Sequence, residues 1–292
     1  MSAGASLSII LPAKNEAQNL QALLPRLKAM VSGLKREAEI IVVDDGSTDE
    51  THAVCEAHGV RVVRHPYSSG NGAAVKTGAR AARGEVLAFM DADGQHDPES
   101  IPALLAKLDE GFDMVVGART AGAHAGAHRF AANSFYNWFA SWMVGRPVPD
   151  LTSGLRVARA ERFRRFLYLL PNGFSYPTTS TMSFFRCGYP VAYVPVSVQR
   201  RGGKSHIRLL RDGLRFLLII FKIGTLYSPL KLFVPISAAF FLTGLGYYLY
   251  TYLTMHRFTN MSALLFVTSV LVFVVGLLSE QITLLNFKDS DR

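Results

Sequence analysis

The chain has 292 residues, of which 49% are hydrophobic, and a formal net charge of +9. Its last quarter is far more apolar than the rest, which favours a soluble domain followed by membrane segments over a wholly soluble protein. Residues 156–222 hold 13 Lys or Arg and 2 Asp or Glu, a net charge of +11, so the remainder sums to −2. Because this basic segment runs directly into the apolar quarter, it favours anionic lipid headgroups and lipid phosphates, and we expect no nucleic-acid partner.

The first 117 residues alternate short apolar runs with amphipathic stretches. Runs rich in Val, Ile and Leu predict buried strands at residues 7–11, 40–43, 60–63, 86–90 and 114–116. Helical patterns lie between them, near residues 16–32, 50–58, 71–83 and 98–110. This β-α-β-α order predicts an α/β fold, with a mostly parallel sheet flanked by helices on both faces. Ligands of such sheets bind beyond the carboxyl ends of the strands.

After the last predicted strand, the sequence predicts a loop and then a helix at residues 131–144. The C-terminal third predicts three further helices. Residues 207–222 place four basic side chains at helical spacing among Leu and Phe, a pattern typical of a helix in the headgroup layer. Residues 230–253 and 262–285 are each long and apolar enough to cross a bilayer. We therefore expect a catalytic domain at 1–206, a juxtamembrane amphipathic helix at 207–229 and a transmembrane hairpin at 230–292.

The charge distribution and the cysteines predict the orientation in the membrane. The basic segment precedes the first span, so the positive-inside rule predicts a cytoplasmic catalytic domain and a short tail on the same side. Cys55 and Cys187 have neither redox nor metal-ligand spacing, which favours free thiols in a reducing compartment. The sequence thus predicts a multi-pass protein of the inner (cytoplasmic) membrane, and it leaves a homo-oligomer open.

Two acidic clusters follow predicted strands. Asp44 and Asp45 come after the run IIVV, and Asp91-Ala92-Asp93 comes after VLAFM. Carboxylates at the end of a buried strand are costly unless they bind a cation or hydrogen-bond donors. Mg²⁺ and Mn²⁺ take oxygen ligands, and Mg²⁺ is commonly held by one or two carboxylates together with substrate phosphates. The pattern indicates a divalent-cation and phosphate site, with Mg²⁺ or Mn²⁺ as the cofactor.

The segments LPAKNE, DDGSTD, GNGAAVKTG and DADGQHDPE stand in this order along the chain. In this set the chain resembles glycosyltransferase family 2, whose GT-A fold has a Rossmann-like sheet. Within the family it is similar to the dolichyl- and undecaprenyl-phosphate sugar transferases, over about residues 6–206. The two C-terminal spans also resemble those of bacterial members of this polyprenyl-phosphate group.

The resemblance implies a set of donor and metal residues. Residues expected to contact the nucleotide-diphosphate sugar are Pro12, Ala13, Asn15, Glu16, Asp44, Asp45, Gly72, Asp91, Ala92 and Asp93. Those expected to hold the cation are Asp91, Asp93 and Gln95, and the catalytic candidates are Asp91, Asp93 and Asp150, the last as an acid/base or orienting group. In the glycine-rich turn, Asn71 stands where members of the family usually have a basic residue. No phosphate-binding lysine is therefore expected there.

The resemblance also implies the acceptor and the reaction. The motif DLTSGLR at residues 150–156 resembles the family's acceptor-loop motif, and QRRGGKS at residues 199–205 resembles a second basic element that faces the membrane. Residues expected to bind the acceptor phosphate are Arg119, Arg129, Ser153, Arg156, Arg200, Arg201 and Lys204. The expected reaction is an inverting transfer of a hexosyl group from a UDP- or GDP-linked sugar to a polyprenyl phosphate.

Two alternative functions are a different transferase activity and a non-catalytic role. A family 2 transferase could build a glycolipid or a polysaccharide, but processive members usually carry a Gln-x-x-Arg-Trp element, which the residues after Gln199 do not complete. A non-catalytic membrane scaffold could retain a nucleotide-sugar pocket, against which the intact Asp91, Asp93 and Gln95 set argues. The sequence identifies neither the sugar nor the nucleotide base.

Overall fold

The structure is a computed structural model that describes residues 5–119, 127–173, 175–198, 221–222 and 224–287. The chain divides into two compact units, Met1–Lys204 and Ser205–Arg292. Each unit is described by itself below.

The first unit is built on a seven-stranded sheet. Its strands are β1 (Leu7–Ala13), β2 (Ala38–Asp44), β3 (Arg61–Arg64), β4 (Val86–Phe89), β5 (Met114–Arg119), β6 (Arg156–Arg159) and β7 (Val191–Val196). Their order in the sheet is β3-β2-β1-β4-β6-β5-β7. β6 is antiparallel to both of its neighbours, while the other pairs are parallel. The expected mostly parallel α/β sheet is thus confirmed.

Helices connect the strands and cover both faces of the sheet. They are α1 (Ala17–Ser32), α2 (Thr51–Ala57), α3 (Asn71–Ala81), α4 (Ile101–Asp109), α5 (Ala127–Val144), α6 (Ala160–Arg164) and α7 (Tyr176–Arg186). A short 3-10 turn (Pro98–Ser100) precedes α4, and the Asp97 side chain caps it by accepting a hydrogen bond from the Glu99 backbone N–H. Proline at the first helical position and aspartate before it are the residues that a helix start favours.

The five strands predicted from the apolar runs all form, each within about three residues of its expected bounds. The helix expected at 131–144 begins four residues earlier, at Ala127. β6 and β7 were not predicted. The amphipathic helix expected at 207–222 lies outside the described residues, apart from Phe221 and Lys222.

The core lies on both faces of the sheet because strand side chains alternate. On one face, Ile9 and Val42 belong to a fully buried cluster with Leu24 of α1 and Leu104 of α4. On the other face α3 approaches so closely that a Cβ on Gly78 would stand 2.3 Å from the side chain of Ile10. Further along this face, aromatic rings of β4, α6 and α7 pack together, with 4.5 Å between the ring centroids of Phe89 and Phe163 and 6.3 Å between those of Phe89 and Tyr176.

The described part of the second unit is dominated by two long helices, α8 (Pro229–Met255) and α9 (Asn260–Phe287). Both are long and apolar enough to cross a membrane. Two serines join them in a reciprocal pair, in which each hydroxyl donates to the other's carbonyl oxygen at 2.9 Å (Ser237 and Ser269). Small residues at such contacts let apolar helices approach closely.

Candidate active site

An open cavity of about 330 Å³ lies at the carboxyl ends of three neighbouring parallel strands, β2, β1 and β4. The residues that line it are Pro12, Ala13, Lys14, Glu16, Asp45, Ser68, Gly70, Asn71, Ala74, Asp91, Ala92 and Asp93. Parallel strands bring their carboxyl ends to one edge, so acidic residues distant in sequence meet there. The cavity therefore combines four carboxylates with the first turn of α3.

Most of the expected donor residues line this cavity. Seven of the ten do so: Pro12, Ala13, Glu16, Asp45, Asp91, Ala92 and Asp93. Three do not, namely Asn15, Asp44 and Gly72. Lys14, Ser68, Gly70, Asn71 and Ala74 line it without having been predicted.

Asp44 points away from the cavity because adjacent residues at a strand end face opposite sides. Its side chain is fully buried, where Oδ1 accepts a hydrogen bond from the Ser47 N–H at 2.8 Å and Oδ2 lies 3.3 Å from Arg64 Nε. Asn15 also stabilises the turn at residues 44–48. Its φ is +55°, and its side-chain oxygen accepts a hydrogen bond from the Thr48 N–H at 2.9 Å. Neither side chain lines the cavity and both hold the 44–48 turn, while direct donor contacts by Asp44 and Asn15 stay a prediction.

Asp45 is the carboxylate of this pair that faces the cavity, and it is tightly held. Its oxygens accept hydrogen bonds from the Ser68 hydroxyl at 2.8 Å, the Ser69 N–H at 2.8 Å and the Gly70 N–H at 2.9 Å. His65 Nδ1 lies 2.7 Å from Oδ1. Burial opposes ionisation, but these hydrogen bonds outweigh it and hold the pKa of Asp45 below its ordinary value. Asp45 thus fixes the segment 65–70 that leads into α3.

Gly72 has a packing role instead of a donor contact. Its N–H donates to the Gly173 carbonyl oxygen at 3.2 Å, and a Cβ would stand 2.0 Å from the Pro171 carbonyl oxygen. Only glycine allows the first turn of α3 to lie so close to this segment. Gly70, two residues earlier, lines the cavity and has a φ of +102°, which also favours glycine.

Asp91 and Asp93 follow β4 and both face the cavity. The space for the Asp91 carboxylate depends on Gly154, since a Cβ there would stand 2.1 Å from Asp91 Oδ2. The Gln95 N–H donates to Asp93 Oδ1 at 3.1 Å, which closes a tight turn after the second carboxylate. The Gln95 side chain does not line the cavity.

The donor set fits a divalent cation. Asp91 and Asp93 supply hard oxygen ligands on alternate residues of one cavity, as Mg²⁺ and Mn²⁺ require. Asp45 is less suited, because its oxygens are already engaged by four donors. Within the described ranges, no three His, Cys, Asp or Glu side chains cluster as a closed metal site. A cation bound here would complete its coordination with substrate oxygens and water.

Asp150 forms a buried ion pair with Arg119, the last residue of β5. Arg119 Nε and Nη2 donate to Asp150 Oδ2 and Oδ1 at 2.7 and 2.8 Å, and the Arg119 backbone N–H donates at 3.1 Å. Burial raises the pKa of Asp150, yet the bonds from Arg119 outweigh it and hold this pKa below its ordinary value. An ionised carboxylate that accepts two hydrogen bonds from one guanidinium orients Arg119. This geometry supports the orienting role of Asp150 and argues against an acid/base role.

Arg156 is held in the interior of the first unit. Its side chain is fully buried, and its guanidinium donates to the Pro177 carbonyl oxygen at 2.8 Å and to the Ser180 hydroxyl at 2.7 Å. Ser153 is also buried, and its hydroxyl donates to the Gly117 carbonyl oxygen at 2.6 Å. Both side chains are buried in this structure, and direct phosphate contacts by them stay a prediction. They connect the 150–156 segment to α7 and β5.

The remaining expected acceptor residues lie outside what the structure describes. These are Arg200, Arg201, Lys204 and the side chain of Arg129. Arg119 is therefore the described member of this set with an accessible side chain, which is 25% exposed.

Besides the five unpredicted lining residues, two residues that the sequence did not predict support the site from behind the cavity wall. His65 is one of them, since its Nε2 lies 2.9 Å from Thr77 Oγ1 while its Nδ1 contacts Asp45. Tyr176 is the other, a fully buried side chain whose hydroxyl donates to the Gly154 carbonyl oxygen at 3.2 Å. Neither belongs to a recognised motif, and only the fold brings them to the carboxylates.

Comparison with known proteins identifies the class. The model of "Glycosyl transferase family 2" matches residues 8–182, and that of "GtrB C-terminal hairpin" matches residues 228–285. The first match covers more than half of the chain, so the chain belongs to glycosyltransferase family 2 and is a glycosyltransferase. The expected GT-A resemblance is confirmed.

Similar proteins support this assignment. An uncharacterized glycosyltransferase of Mycobacterium tuberculosis is 34% identical over 208 residues, which cover 70% of this chain and 91% of that protein. An undecaprenyl-phosphate 4-deoxy-4-formamido-L-arabinose transferase of Pseudomonas fluorescens is 30% identical over 256 residues, covering 82% and 70%. Glucosyl-3-phosphoglycerate synthase of Mycobacterium tuberculosis, solved with Mn²⁺, UDP and phosphoglyceric acid, matches with a TM-score of 0.59 and 25% identity, covering 75% of this chain and 79% of that one.

Proposed function

We propose that this glycosyltransferase transfers a hexosyl group, with inversion, from a UDP- or GDP-linked sugar to a polyprenyl phosphate at the cytoplasmic face of the inner membrane. The observation that carries the proposal is the cavity at the strand ends, into which Asp91 and Asp93 face. The apolar helices α8 and α9 support a membrane-embedded acceptor. The undecaprenyl-phosphate transferase relative, similar over most of this chain, supports a lipid phosphate as that acceptor.

The donor half of the proposal rests on the shape and charge of the cavity. Pro12 and Ala13, at the end of β1, line the cavity and would contact the nucleoside. Asp91 and Asp93 would hold Mg²⁺ or Mn²⁺ against the diphosphate, with Gln95 as a third ligand if its side chain turns into the cavity. When bound, the cation supplies Lewis-acid stabilisation of the departing diphosphate. The synthase solved with Mn²⁺ and UDP supports this reading of the site.

The acceptor half explains why no general base is required. A phosphate monoester has a second pKa of about 6, so at neutral pH most of it is already a dianion and a competent nucleophile. The ion-paired Asp150 is therefore not needed to remove a proton. What the protein must provide is in-line placement, and positioning of this kind can contribute roughly 7–11 kcal/mol.

Basic side chains would hold the acceptor phosphate. Arg119, oriented by Asp150, offers a planar donor fork suited to phosphate oxygens. Arg129, Arg200, Arg201 and Lys204 are the further candidates. Because Arg156 and Ser153 are buried, we assign them the support of this segment instead.

Reconstitution with defined substrates tests the proposal. The full chain in proteoliposomes is incubated with polyprenyl phosphate and a panel of labelled UDP- and GDP-sugars, with and without Mg²⁺ or Mn²⁺. We expect one labelled sugar to enter the lipid fraction as a single residue, and only with the cation. Soluble 3-phosphoglycerate serves as a competing acceptor. Label confined to the soluble acid, or to a growing polymer, would contradict the lipid-phosphate assignment.

A further inference from the structure

His65 lies behind the wall of the cavity at the strand ends. It is the first residue after β3, and its backbone N–H donates to the Asp44 carbonyl oxygen at 2.8 Å, which holds the chain to the end of β2. Its side chain is 13% exposed and does not line the cavity. Any influence of His65 on a bound substrate must therefore pass through its neighbours.

Both nitrogens of the His65 ring have a partner. Nδ1 lies 2.7 Å from Asp45 Oδ1, and Nε2 lies 2.9 Å from Thr77 Oγ1. An ionised carboxylate only accepts hydrogen bonds, so the proton of the first contact is on Nδ1. In the neutral ring Nε2 then accepts, and the Thr77 hydroxyl donates to it. The two contacts together fix one tautomer and one orientation of the ring.

The other partners of Asp45 are not anchored independently of it. They are the Ser68 hydroxyl and the backbone N–H groups of Ser69 and Gly70, in a segment that is neither helix nor strand. His65, by contrast, is held by the backbone of β2 and by α3. Burial raises the pKa of Asp45, and the hydrogen bond from His65 is the largest of the effects that lower it. The direction of this carboxylate therefore depends on His65 first.

The same ring connects two parts of the cavity wall. Asp45 is the wall residue that follows β2, while Asn71 and Ala74 line the cavity from the first turn of α3. Thr77 lies one turn further along this helix. Because His65 contacts both Asp45 and Thr77, it sets the position of the carboxylate relative to α3.

We propose that His65 is a positioning residue of the nucleotide site. Through Nδ1 it directs the Asp45 carboxylate, and through Nε2 it joins that carboxylate to α3. This inference rests on the proposed function, because it takes the cavity to be the place where the nucleotide of the donor binds. An apolar side chain of similar volume would fill the same space, but it would leave Asp45 free to turn.

Two substitutions separate the two hydrogen bonds of the ring. The amide nitrogen of asparagine falls near the position of Nδ1, and that of glutamine falls near the position of Nε2. His65→Asn can therefore keep a donor to Asp45 and lose the contact with Thr77, whereas His65→Gln does the reverse.

Nucleotide binding to the full chain in detergent, measured by calorimetry with UDP and with GDP in the presence of Mn²⁺, tests the proposal. His65→Gln should weaken the affinity for the nucleotide that the wild type binds by about tenfold or more, because a hydrogen bond to a charged group is lost. His65→Asn should stay within about threefold of the wild type, since the donor to Asp45 is kept. The KM for the donor sugar should follow the affinity, while kcat should change much less.

His52→Gln is the matched control. Nε2 of His52 lies 3.3 Å from Glu56 Oε1, so this histidine is also paired with a carboxylate, but it belongs to α2 and does not line the cavity. Its substitution should alter neither the nucleotide affinity nor the KM. Thermal unfolding of each variant measures any loss of stability separately from binding.

The outcomes distinguish the role of His65 from the proposed function. Equal nucleotide affinity in the wild type and in His65→Gln would overturn the positioning role and leave the proposed function intact. Equal losses in His65→Asn and His65→Gln would also overturn it, because affinity would then follow the loss of the ring and not the hydrogen bond to Asp45. If the wild type bound neither nucleotide, the proposed function would fail together with this inference.

Discussion

Gly154 and Asp91 are adjacent in space in a way that leaves no room for a side chain between them. A Cβ at Gly154 would stand 2.1 Å from Asp91 Oδ2 and 2.8 Å from its carboxyl carbon. The backbone of the 150–156 segment thus forms the wall against which this carboxylate rests. One of the two acidic residues proposed to face the donor is positioned by a glycine more than sixty residues away in sequence.

The first prediction follows from this contact. Gly154→Ala should force the Asp91 carboxylate to move by an ångström or more, because the new methyl group overlaps it. A misplacement of that size lowers turnover by roughly 10²-fold. Gly173→Ala is the matched control, since no atom of the described residues lies within 4 Å of where its Cβ would stand. Initial rates of sugar transfer compare the two, and near-normal turnover by the Gly154 variant would contradict the positioning role.

The second prediction concerns the cation. Asp93→Ala should reduce transfer by about 10³-fold or more, because the protein then loses one of the two carboxylates proposed to hold the metal. Membrane insertion should be unchanged, since Asp93 lies in the first unit. Mn²⁺ binding in the presence of UDP, followed by electron paramagnetic resonance, should weaken in parallel. Asp109→Asn, at an exposed carboxylate paired with Arg36, should alter neither property. Normal turnover by Asp93→Ala would remove the metal assignment.

The fold could be predicted where local sequence decides structure. The apolar runs of β1, β2 and β4 form buried strands, and their pattern alone identifies them. β6 is only four residues long and carries an arginine at each end, and β7 contains Pro195. These two segments are strands because they pair with strands distant in sequence. Such pairing leaves no signal in the local sequence.

The candidate site was predicted less completely than the fold, for two physical reasons. Asp44 and Asp45 are equally acidic, but strand alternation turns one into the core and the other into the cavity, and the exact strand end decides which. Arg156 carries the charge expected of a phosphate ligand, yet tertiary packing buries it completely. Motif chemistry identifies residue types, whereas side-chain direction depends on the folded chain.

The third prediction separates support from substrate contact at Arg156. Arg156→Lys should lower the free energy of unfolding by about 3 kcal/mol, because lysine cannot reproduce a buried fork of charged hydrogen bonds. The folded fraction should keep its KM for polyprenyl phosphate. Arg159→Lys, on the same strand and 41% exposed, should change stability by at most about 0.5 kcal/mol. A large rise in acceptor KM with unchanged thermal stability would instead make Arg156 a phosphate ligand.

The fourth prediction concerns the Arg119–Asp150 pair and its pH dependence. Asp150→Asn removes one partner of a buried ion pair, which should lower the free energy of unfolding by about 3 kcal/mol at neutral pH. The folded-state pKa of Asp150 lies below its ordinary value of 3.8, so the pair stabilises the fold above that value. This contribution is lost as the pH falls through the lowered pKa, because both states are then protonated.

The difference in stability between the wild type and Asp150→Asn should therefore be constant near neutral pH and shrink below about pH 4. Thermal unfolding of the full chain in detergent, measured across this range, follows it. Glu161→Gln is the control, since its carboxylate is 72% exposed and an exposed ion pair contributes at most about 0.5 kcal/mol. If Asp150 were a proton-transfer group with a raised pKa, the difference would change between pH values near neutrality instead. A constant difference there supports an aspartate that only orients Arg119.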